Sequence, residues 1–190
     1  MHFLVVYGSV RTARQGIKAA RFVLRQLQGR GHEVVLVDPV DVRLPLLDKM
    51  YKEYPKGTAP ELLERIAGWI RASDGVVVVT GEYNHMPPPG LTNVLDHFLE
   101  EWFWRPSAIV SYSAGSFGGV RAASHLRDTL AELGMPSIPS SVPVPKVQDA
   151  FDDDGTPRDP AWERRVQRFL DELEWYARAF AAERARGVPY

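Results

Sequence analysis

Short runs of apolar, β-branched residues recur along the chain, separated by longer segments with apolar residues at helical spacing. The first four runs, residues 3–7, 34–37, 76–80 and 107–112, are apolar with little alternation. Such runs are typical of strands covered by helices on both faces of a parallel sheet. A fifth run, residues 137–142, is interrupted by proline, which favours a strand at the edge of the sheet.

The segments between these runs predict five helices, over residues 14–29, 60–72, 91–102, 120–133 and 160–185. Pro60 occupies a favoured first helical position, and Gly29 and Gly134 supply stop signals. The alternation predicts an α/β protein, a three-layer α/β/α sandwich with a five-stranded parallel sheet, forming a single domain over residues 1–190. Residues 39–59 and 143–159 show no clear period and are predicted to be loops.

Composition and charge exclude several classes of function. The 190 residues include no cysteine, which excludes disulfides, thiolate chemistry and iron–sulfur ligation. The formal net charge of -1 lacks the basic excess of a nucleic-acid-binding protein. No apolar run approaches the roughly 20 residues that span a bilayer. The sequence therefore predicts a soluble, cytoplasmic protein that binds neither nucleic acid nor membrane.

Candidate chemistry lies in three loops that follow the predicted strands, where open parallel sheets bind ligands. In the first, residues 8–16, the hydroxyls of Ser9 and Thr12 and the guanidinium groups of Arg11 and Arg14 precede a helix N-terminus. This combination favours a phosphate site, although a solvated turn is an alternative. Neither the G-x-G-x-x-G fingerprint nor the P-loop pattern is present.

The second and third loops suit a flat ligand. Residues 80–93 combine glycine, three consecutive prolines and a Tyr-Asn pair, for which a rigid connector is the alternative interpretation. In residues 111–119, glycines allow the backbone to approach a ligand closely. Ser113 lies near a nucleophile-elbow pattern, but the only later histidine, His125, falls in the next predicted helix and cannot reach it. A serine hydrolase is therefore disfavoured.

Other candidate residues predict no metal site. His85, His97 and His125 lack metal-ligand spacing, and His97 is interpreted as a surface or interface residue. Residues 152–155 lack the full pattern of a calcium loop and are interpreted as a turn. The aromatic stripe of Phe98, Trp102 and Trp104 favours core packing, with a subunit contact as the alternative.

Together the three loops resemble those of the NAD(P)H-dependent FMN reductases of the flavodoxin-like superfamily, from Met1 to about Leu173. The family's Gly-Ser-x-Arg corresponds to residues 8–11, and its Ser-x-Gly-x-x-Gly-Gly to residues 113–119. Its middle signature, usually Pro-Glu-Tyr-Asn followed by Pro-Gly-x-x-Lys-Asn-x-x-Asp, corresponds to residues 81–84 and 89–96. This chain departs from the pattern at Gly81 (usually proline), Thr92 (usually lysine) and Arg14 (often a small hydroxyl residue).

The resemblance implies a flavodoxin-like fold, bound FMN and NAD(P)H as co-substrate. It implies ping-pong hydride transfer to a quinone, free flavin, azo compound or similar oxidant, with no catalytic side chain because the flavin supplies the chemistry. The implied phosphate ligands are Ser9, Arg11, Arg14, Gln15 and Gly16. The groups along the isoalloxazine and ribityl chain would be Glu82, Tyr83, Asn84 and His85, mainly through their backbone. The pyrimidine side would be lined by Ser113, Gly115 and Gly118.

The resemblance also implies a homodimer or tetramer, in which Trp102, Phe103 and Trp104 are expected to wall the partner's flavin site. Two other functions remain open on the same fold. One is an electron carrier of the flavodoxin type, whose strongly acidic surface a net charge of -1 does not match. The other is a binding module without redox chemistry, since fold does not fix function.

Overall fold

The computed structural model describes all residues 1–190 and contains the alternation that the sequence predicts. The strands are β1 (His2–Tyr7), β2 (Glu33–Val37), β3 (Gly75–Gly81), β4 (Ser107–Tyr112) and β5 (Ser137–Val144). The helices are α1 (Ile17–Gly29), α2 (Pro39–Val42), α3 (Glu61–Ala72), α4 (Pro89–Asp96), α5 (Val120–Glu132), α6 (Val147–Ala150) and α7 (Ala161–Arg184). Single 3₁₀ turns occupy Tyr51–Glu53 and Glu100–Trp102.

All five strands are parallel and lie in the order β2-β1-β3-β4-β5, which confirms the predicted sheet and the edge position of β5. Two apolar cores lie on its two faces, one beneath α1 and α7 and the other beneath α3, α4 and α5. The central strand β3 shows why the predicted strands lack alternation. Val77 and Val79 face the first core, whereas Val76 and Val78 face the second, so both faces require apolar side chains.

Helix α4 ends six residues earlier than the periodicity predicts. The backbone leaves helical geometry at Leu99 (φ -137°, ψ -75°), and the chain turns back through the 3₁₀ segment. The indole Nε1 of Trp102 then donates to the Leu95 carbonyl at 3.0 Å. The Phe98 N–H donates to the same carbonyl at 3.2 Å, so the indole is a second donor that ties the 3₁₀ segment to the last turn of α4.

Two side chains in this region are buried rather than at a surface. His97, interpreted from the sequence as a surface or interface residue, is only 2% exposed, and its Nδ1 donates to the Asn93 carbonyl at 2.6 Å. Trp102 is fully buried against Phe98. The expectation that Trp102 walls a partner's flavin site is therefore wrong, because its ring already lies inside its own core.

Phe103 and Trp104 lie at the amino ends of the strands, where a buried arginine organises the backbone. Arg105 donates to the carbonyls of Ser73 and Phe103 at 3.0 and 2.8 Å, directly before β3 and β4. Burial lowers the pKa of Arg105 to about 10. This aromatic segment therefore lies at the end of the sheet opposite the loops that are expected to bind a ligand. No helix of the structure is long and apolar enough to cross a membrane.

Candidate functional site

A cleft of about 180 Å³ lies at the carboxyl ends of β1, β3 and β4. The strand order reverses between β1 and β3, and ligands bind at such switch points in open α/β sheets. The structure brings eight of the predicted site residues together in its wall: Ser9, Arg11, Arg14, Gln15, Gly16, Glu82, Tyr83 and Ser113. Asn84, His85, Gly115 and Gly118 lie in the same loops but outside the lining.

The loop after β1 presents free backbone donors. No hydrogen bond within the protein involves the N–H groups of Thr12, Ala13, Gln15 and Gly16. These groups precede the first turn of α1, which contains no acidic residue. Unpaired N–H groups and the positive end of the helix dipole together favour an anion. Helix α1 begins at Ile17 rather than residue 14 because these preceding residues form the open loop instead.

Arg14 adds a guanidinium group with a fixed orientation. Its Nη1 donates to the Ser9 carbonyl at 3.4 Å and forms an ion pair with the Asp38 carboxylate. The guanidinium carbon lies 5.5 Å from the centre of the Tyr7 ring. Although burial opposes it, the hydrogen bond and charge of Asp38 raise the pKa of Arg14 above its ordinary value. The group is therefore cationic and held by three contacts at the edge of the cleft.

A cluster of hydroxyl groups forms the floor beneath this loop. The Tyr112 hydroxyl donates to that of Tyr7 at 3.3 Å, and their rings stack with centres 6.2 Å apart. Ser9 Oγ and the Tyr83 hydroxyl lie 3.1 Å apart. The Tyr112 ring also lies against Gly16, where an added Cβ would come within 2.0 Å of its Cζ. Tyr112 was not predicted as a site residue, because the sequence places it within a buried strand.

Burial of this floor predicts a loss of stability at alkaline pH. Desolvation raises the pKa of Tyr112 above its ordinary value of 10.0. Above that pH the unfolded chain releases a proton that the folded chain retains, so the free energy of unfolding decreases as pH rises. The Tyr112 contribution amounts to at most about 1.4 kcal/mol per pH unit. Urea unfolding from about pH 8 to about pH 11 should therefore show a shallower decline for Tyr112→Phe than for the wild type. Parallel curves would contradict this expectation.

The loop after β3 forms a tight turn at the rim of the cleft. The backbone of Tyr83 and Met86 exchanges two hydrogen bonds of 2.9 and 3.0 Å. The two residues between them, Asn84 and His85, both adopt positive φ angles, 51° and 71°. Such strain in non-glycine residues occurs preferentially at functional sites. Their side chains are exposed and their N–H groups are unpaired, so the backbone is what this turn offers to a ligand.

The side chain of Glu82 has a structural partner. Its Oε2 accepts hydrogen bonds from the N–H groups of Arg121 and Ala122 at 3.1 and 3.4 Å, and its Oε1 lies 3.3 Å from the Arg121 guanidinium. The carboxylate thereby caps the N-terminus of α5, which begins after a glycine that provides no capping side chain. Glu82 therefore joins the second loop to the helix that follows the third.

Replacement of this cap should reduce stability measurably. Glu82→Ala is expected to lower the free energy of unfolding by about 1–2 kcal/mol, because two helix N–H groups lose their acceptor. Glu82→Gln should cost less, since an amide oxygen can still accept. Urea unfolding of the two variants measures the difference, and equal losses would argue against the capping role.

The loop after β4 is shaped by Ser113 and two glycines. Ser113 Oγ accepts from the Gly118 N–H at 2.9 Å and donates to the Gly115 carbonyl at 3.0 Å. Gly118 and Gly119 adopt φ angles of 63° and 75°, and a Cβ at Gly119 would lie 2.6 Å from the Tyr112 carbonyl oxygen. The Ser113 hydroxyl thus holds a loop whose N–H groups at residues 114–117 have no partner. Because both hydrogen bonds of the Ser113 hydroxyl serve the loop, this residue has the role of a loop-shaping side chain rather than that of a nucleophile.

Sequence reasoning missed two further residues near the cleft. Gln148 of α6 lines the cleft, and its buried Oε1 has no hydrogen-bond partner in the protein. Asp38 directly follows β2 and holds Arg14 from behind. A position just after a strand is a weak indication, but Gln148 lies in a segment that the sequence predicts only as a loop.

Comparisons with known proteins identify a family. A family model described as "NADPH-dependent FMN reductase" matches residues 1–149. A quinone reductase of Pseudomonas putida is 33% identical over 178 residues, which cover 89% of this chain and 90% of the relative. An NAD(P)H-dependent FMN reductase of Pseudomonas aeruginosa is 34% identical over 124 residues, covering 63% and 67% of the two chains.

A solved structure gives the same result for the fold. The flavoenzyme NAD(P)H:(acceptor) oxidoreductase of Paracoccus denitrificans superimposes with a TM-score of 0.73 at 25% sequence identity. The match covers 92% of this chain and 98% of that one. The predicted flavodoxin-like fold is thereby confirmed, with the three loops after β1, β3 and β4 at the carboxyl edge of its sheet.

Proposed function

The chain belongs to the NADPH-dependent FMN reductase family, and from this premise we propose that it reduces a quinone, free flavin, azo compound or similar oxidant by a ping-pong mechanism. Membership makes the chain an oxidoreductase enzyme that uses FMN, with NAD(P)H as its substrate. The identity of the oxidant and the order of the two half-reactions are the proposed parts. Residues 1–190 would act as one FMN-binding domain.

The donor set of the cleft fits FMN. The unpaired N–H groups of residues 12–16 and the guanidinium groups of Arg11 and Arg14 suit its phosphate. The free N–H groups of residues 84–85 and 114–117 suit the acceptor atoms of its flat ring. The buried, unpartnered Oε1 of Gln148 offers an acceptor for a ligand donor. This complementary set of unpaired groups is the observation that carries the proposal.

The roles of the protein residues are binding and orientation. When bound, FMN supplies the hydride-accepting and electron-donating chemistry. Ser9, Arg11, Arg14, Gln15 and Gly16 would hold its phosphate. Asn84 and His85 would meet the ring through their backbone, and Ser113 would shape the loop on its pyrimidine side. Glu82 would hold the N-terminus of α5 against the turn that follows β3. Tyr83 would contribute the hydroxyl that lies beside Ser9. Gly115 and Gly118 would allow the close approach of the ring.

The test is the visible absorption spectrum of the purified protein, before and after anaerobic addition of NADPH. Flavin bands that bleach, and return when a quinone is added, support the proposed reductase. Bands that persist indicate a carrier that another protein reduces. If no bands are seen, even after incubation with FMN and dialysis, the proposed function is wrong.

We also propose that the enzyme assembles as a homodimer or tetramer. Phe103 and Trp104 are partly exposed and retain the capacity for a subunit contact, unlike Trp102. Trp104→Glu would place a charge there and should shift the protein to a smaller species in size-exclusion chromatography. An unchanged elution volume would count against this segment as the contact.

A further inference from the structure

We infer that Asp38 is a positioning residue for the phosphate end of the cleft, because it fixes the direction in which Arg14 presents its guanidinium group. The inference rests on the proposed FMN site. It assigns a role to a residue that does not line the cleft.

The contacts of Arg14 divide the guanidinium into a held edge and an open edge. Both of its hydrogen bonds, to the Ser9 carbonyl and to Asp38 Oδ1, use the same atom, Nη1. No partner within the protein engages Nε or Nη2. The side chain is 16% exposed and lines the cleft, while the Asp38 side chain is 4% exposed and does not. The carboxylate therefore grips Arg14 from the protein side and leaves donors free for an anion.

Asp38 is itself held firmly. It follows the buried end of β2 and acts as the N-cap of α2, where its Oδ1 accepts from the Val40 N–H at 3.0 Å. One carboxylate oxygen thus joins the start of α2 to Arg14 in the loop after β1. The face of the Tyr7 ring limits motion of the guanidinium in another direction. The Arg14 side chain is therefore ordered before the ligand binds, so binding costs less conformational entropy.

The carboxylate has a second, opposite effect, because its negative charge repels a phosphate. The two effects differ in reach. Arg14 can contact the anion directly, and charge-assisted hydrogen bonds at contact distance are the strong ones. Asp38 acts on the anion only from behind the guanidinium, where its field is partly cancelled by Arg14. Positioning is therefore expected to outweigh repulsion.

The experiment compares dissociation constants for FMN and riboflavin, measured by quenching of flavin fluorescence. Riboflavin lacks only the phosphate, so the ratio of the two constants isolates the phosphate end. Asp38→Ala is expected to weaken FMN binding about tenfold while changing riboflavin binding less than about twofold. Asp38→Asn keeps an oxygen for Nη1 and for the Val40 N–H, and should lose less than the alanine variant. In an Arg14→Gln background, Asp38→Ala should cause no further loss of FMN affinity.

A matched control is Asp171→Asn. This substitution removes the carboxylate that forms an ion pair with Arg30, just beyond the C-terminal end of α1. It should leave the ratio of the FMN and riboflavin dissociation constants unchanged. Equal losses for FMN and riboflavin in Asp38→Ala would overturn the inference and make Asp38 a purely structural cap. Tighter FMN binding in that variant would also overturn it, because repulsion would then dominate. Both outcomes leave the proposed function standing if the wild type binds FMN. A wild type that binds neither flavin refutes the proposed function itself.

Discussion

Gly155→Ala is expected to lower the free energy of unfolding by about 3 kcal/mol, the largest loss of stability among the substitutions considered. Gly155 adopts a φ of 88°, which costs a residue with a Cβ about 1–2 kcal/mol. An added Cβ would also lie 2.4 Å from the backbone nitrogen of Phe22 and 2.7 Å from the carbonyl carbon of Arg21. Because both atoms belong to the backbone of α1, the clash cannot be relieved by a side-chain rotation.

The control for this prediction is Gly57→Ala. Gly57 has a similar φ of 76°, but an added Cβ would meet no atom within 4 Å. Gly57→Ala should therefore show only the conformational cost of the positive φ angle, about 1–2 kcal/mol. Urea unfolding of both variants at one temperature separates the two contributions. Equal losses would mean that the turn can move away from α1 without cost.

The turn around Gly155 is held on α1 by charged contacts as well as by close packing. Arg21 donates to the Asp153 carbonyl at 2.6 Å, and Lys18 and Arg25 form ion pairs with Asp153 and Asp154. The sequence interpretation of residues 152–155 as a turn is consistent with the hydrogen bond from the Gly155 N–H to the Asp152 carbonyl. The docking of this turn on α1, however, depends on contacts between distant segments.

Gly16→Ala is expected to weaken FMN binding about 100-fold, the largest loss of affinity. The added Cβ would lie 2.0 Å from Tyr112 Cζ. The ring is stacked on Tyr7 and lies against Gly81, where an added Cβ would also come within 3.0 Å of it. The ring therefore has no free space, and the start of α1 must move with its unpaired N–H groups. Overpacking of this kind costs about 1–3 kcal/mol, and the upper part of that range corresponds to about 100-fold in affinity.

The measurement is the FMN dissociation constant, with Gly29→Ala as the control at the other end of α1, where an added Cβ meets nothing within 4 Å. The double variant Gly16→Ala with Tyr112→Leu should regain part of the affinity, because leucine has no atom at the position of Cζ. If Gly16→Ala binds FMN as well as Gly29→Ala does, Tyr112 does not constrain the loop after β1.

Much of the fold was predictable because it depends on local pattern. The apolar runs locate all five strands to within two residues at each end, since strands buried on both faces need apolar residues at every position. The predicted end of α4 was wrong because the backbone leaves helical geometry at Leu99 and the Trp102 indole folds back onto the Leu95 carbonyl, a contact that helical periodicity does not reveal. The surface assignment of His97 was wrong for a related reason: a buried backbone carbonyl accepts its ring N–H.

The binding loops were predictable as positions but not as contacts. The sequence by itself determined the parallel sheet, the three loops at its carboxyl edge and the glycines and arginines within them, because these follow from residue type and order along the chain. Only the tertiary structure decided that Glu82 caps α5, that Tyr112 lies beneath Gly16 and that Asp38 holds Arg14. These pairs are 39, 96 and 24 residues apart. Their partners are chosen by the order of strands in the sheet, since that order determines which loop ends become neighbours.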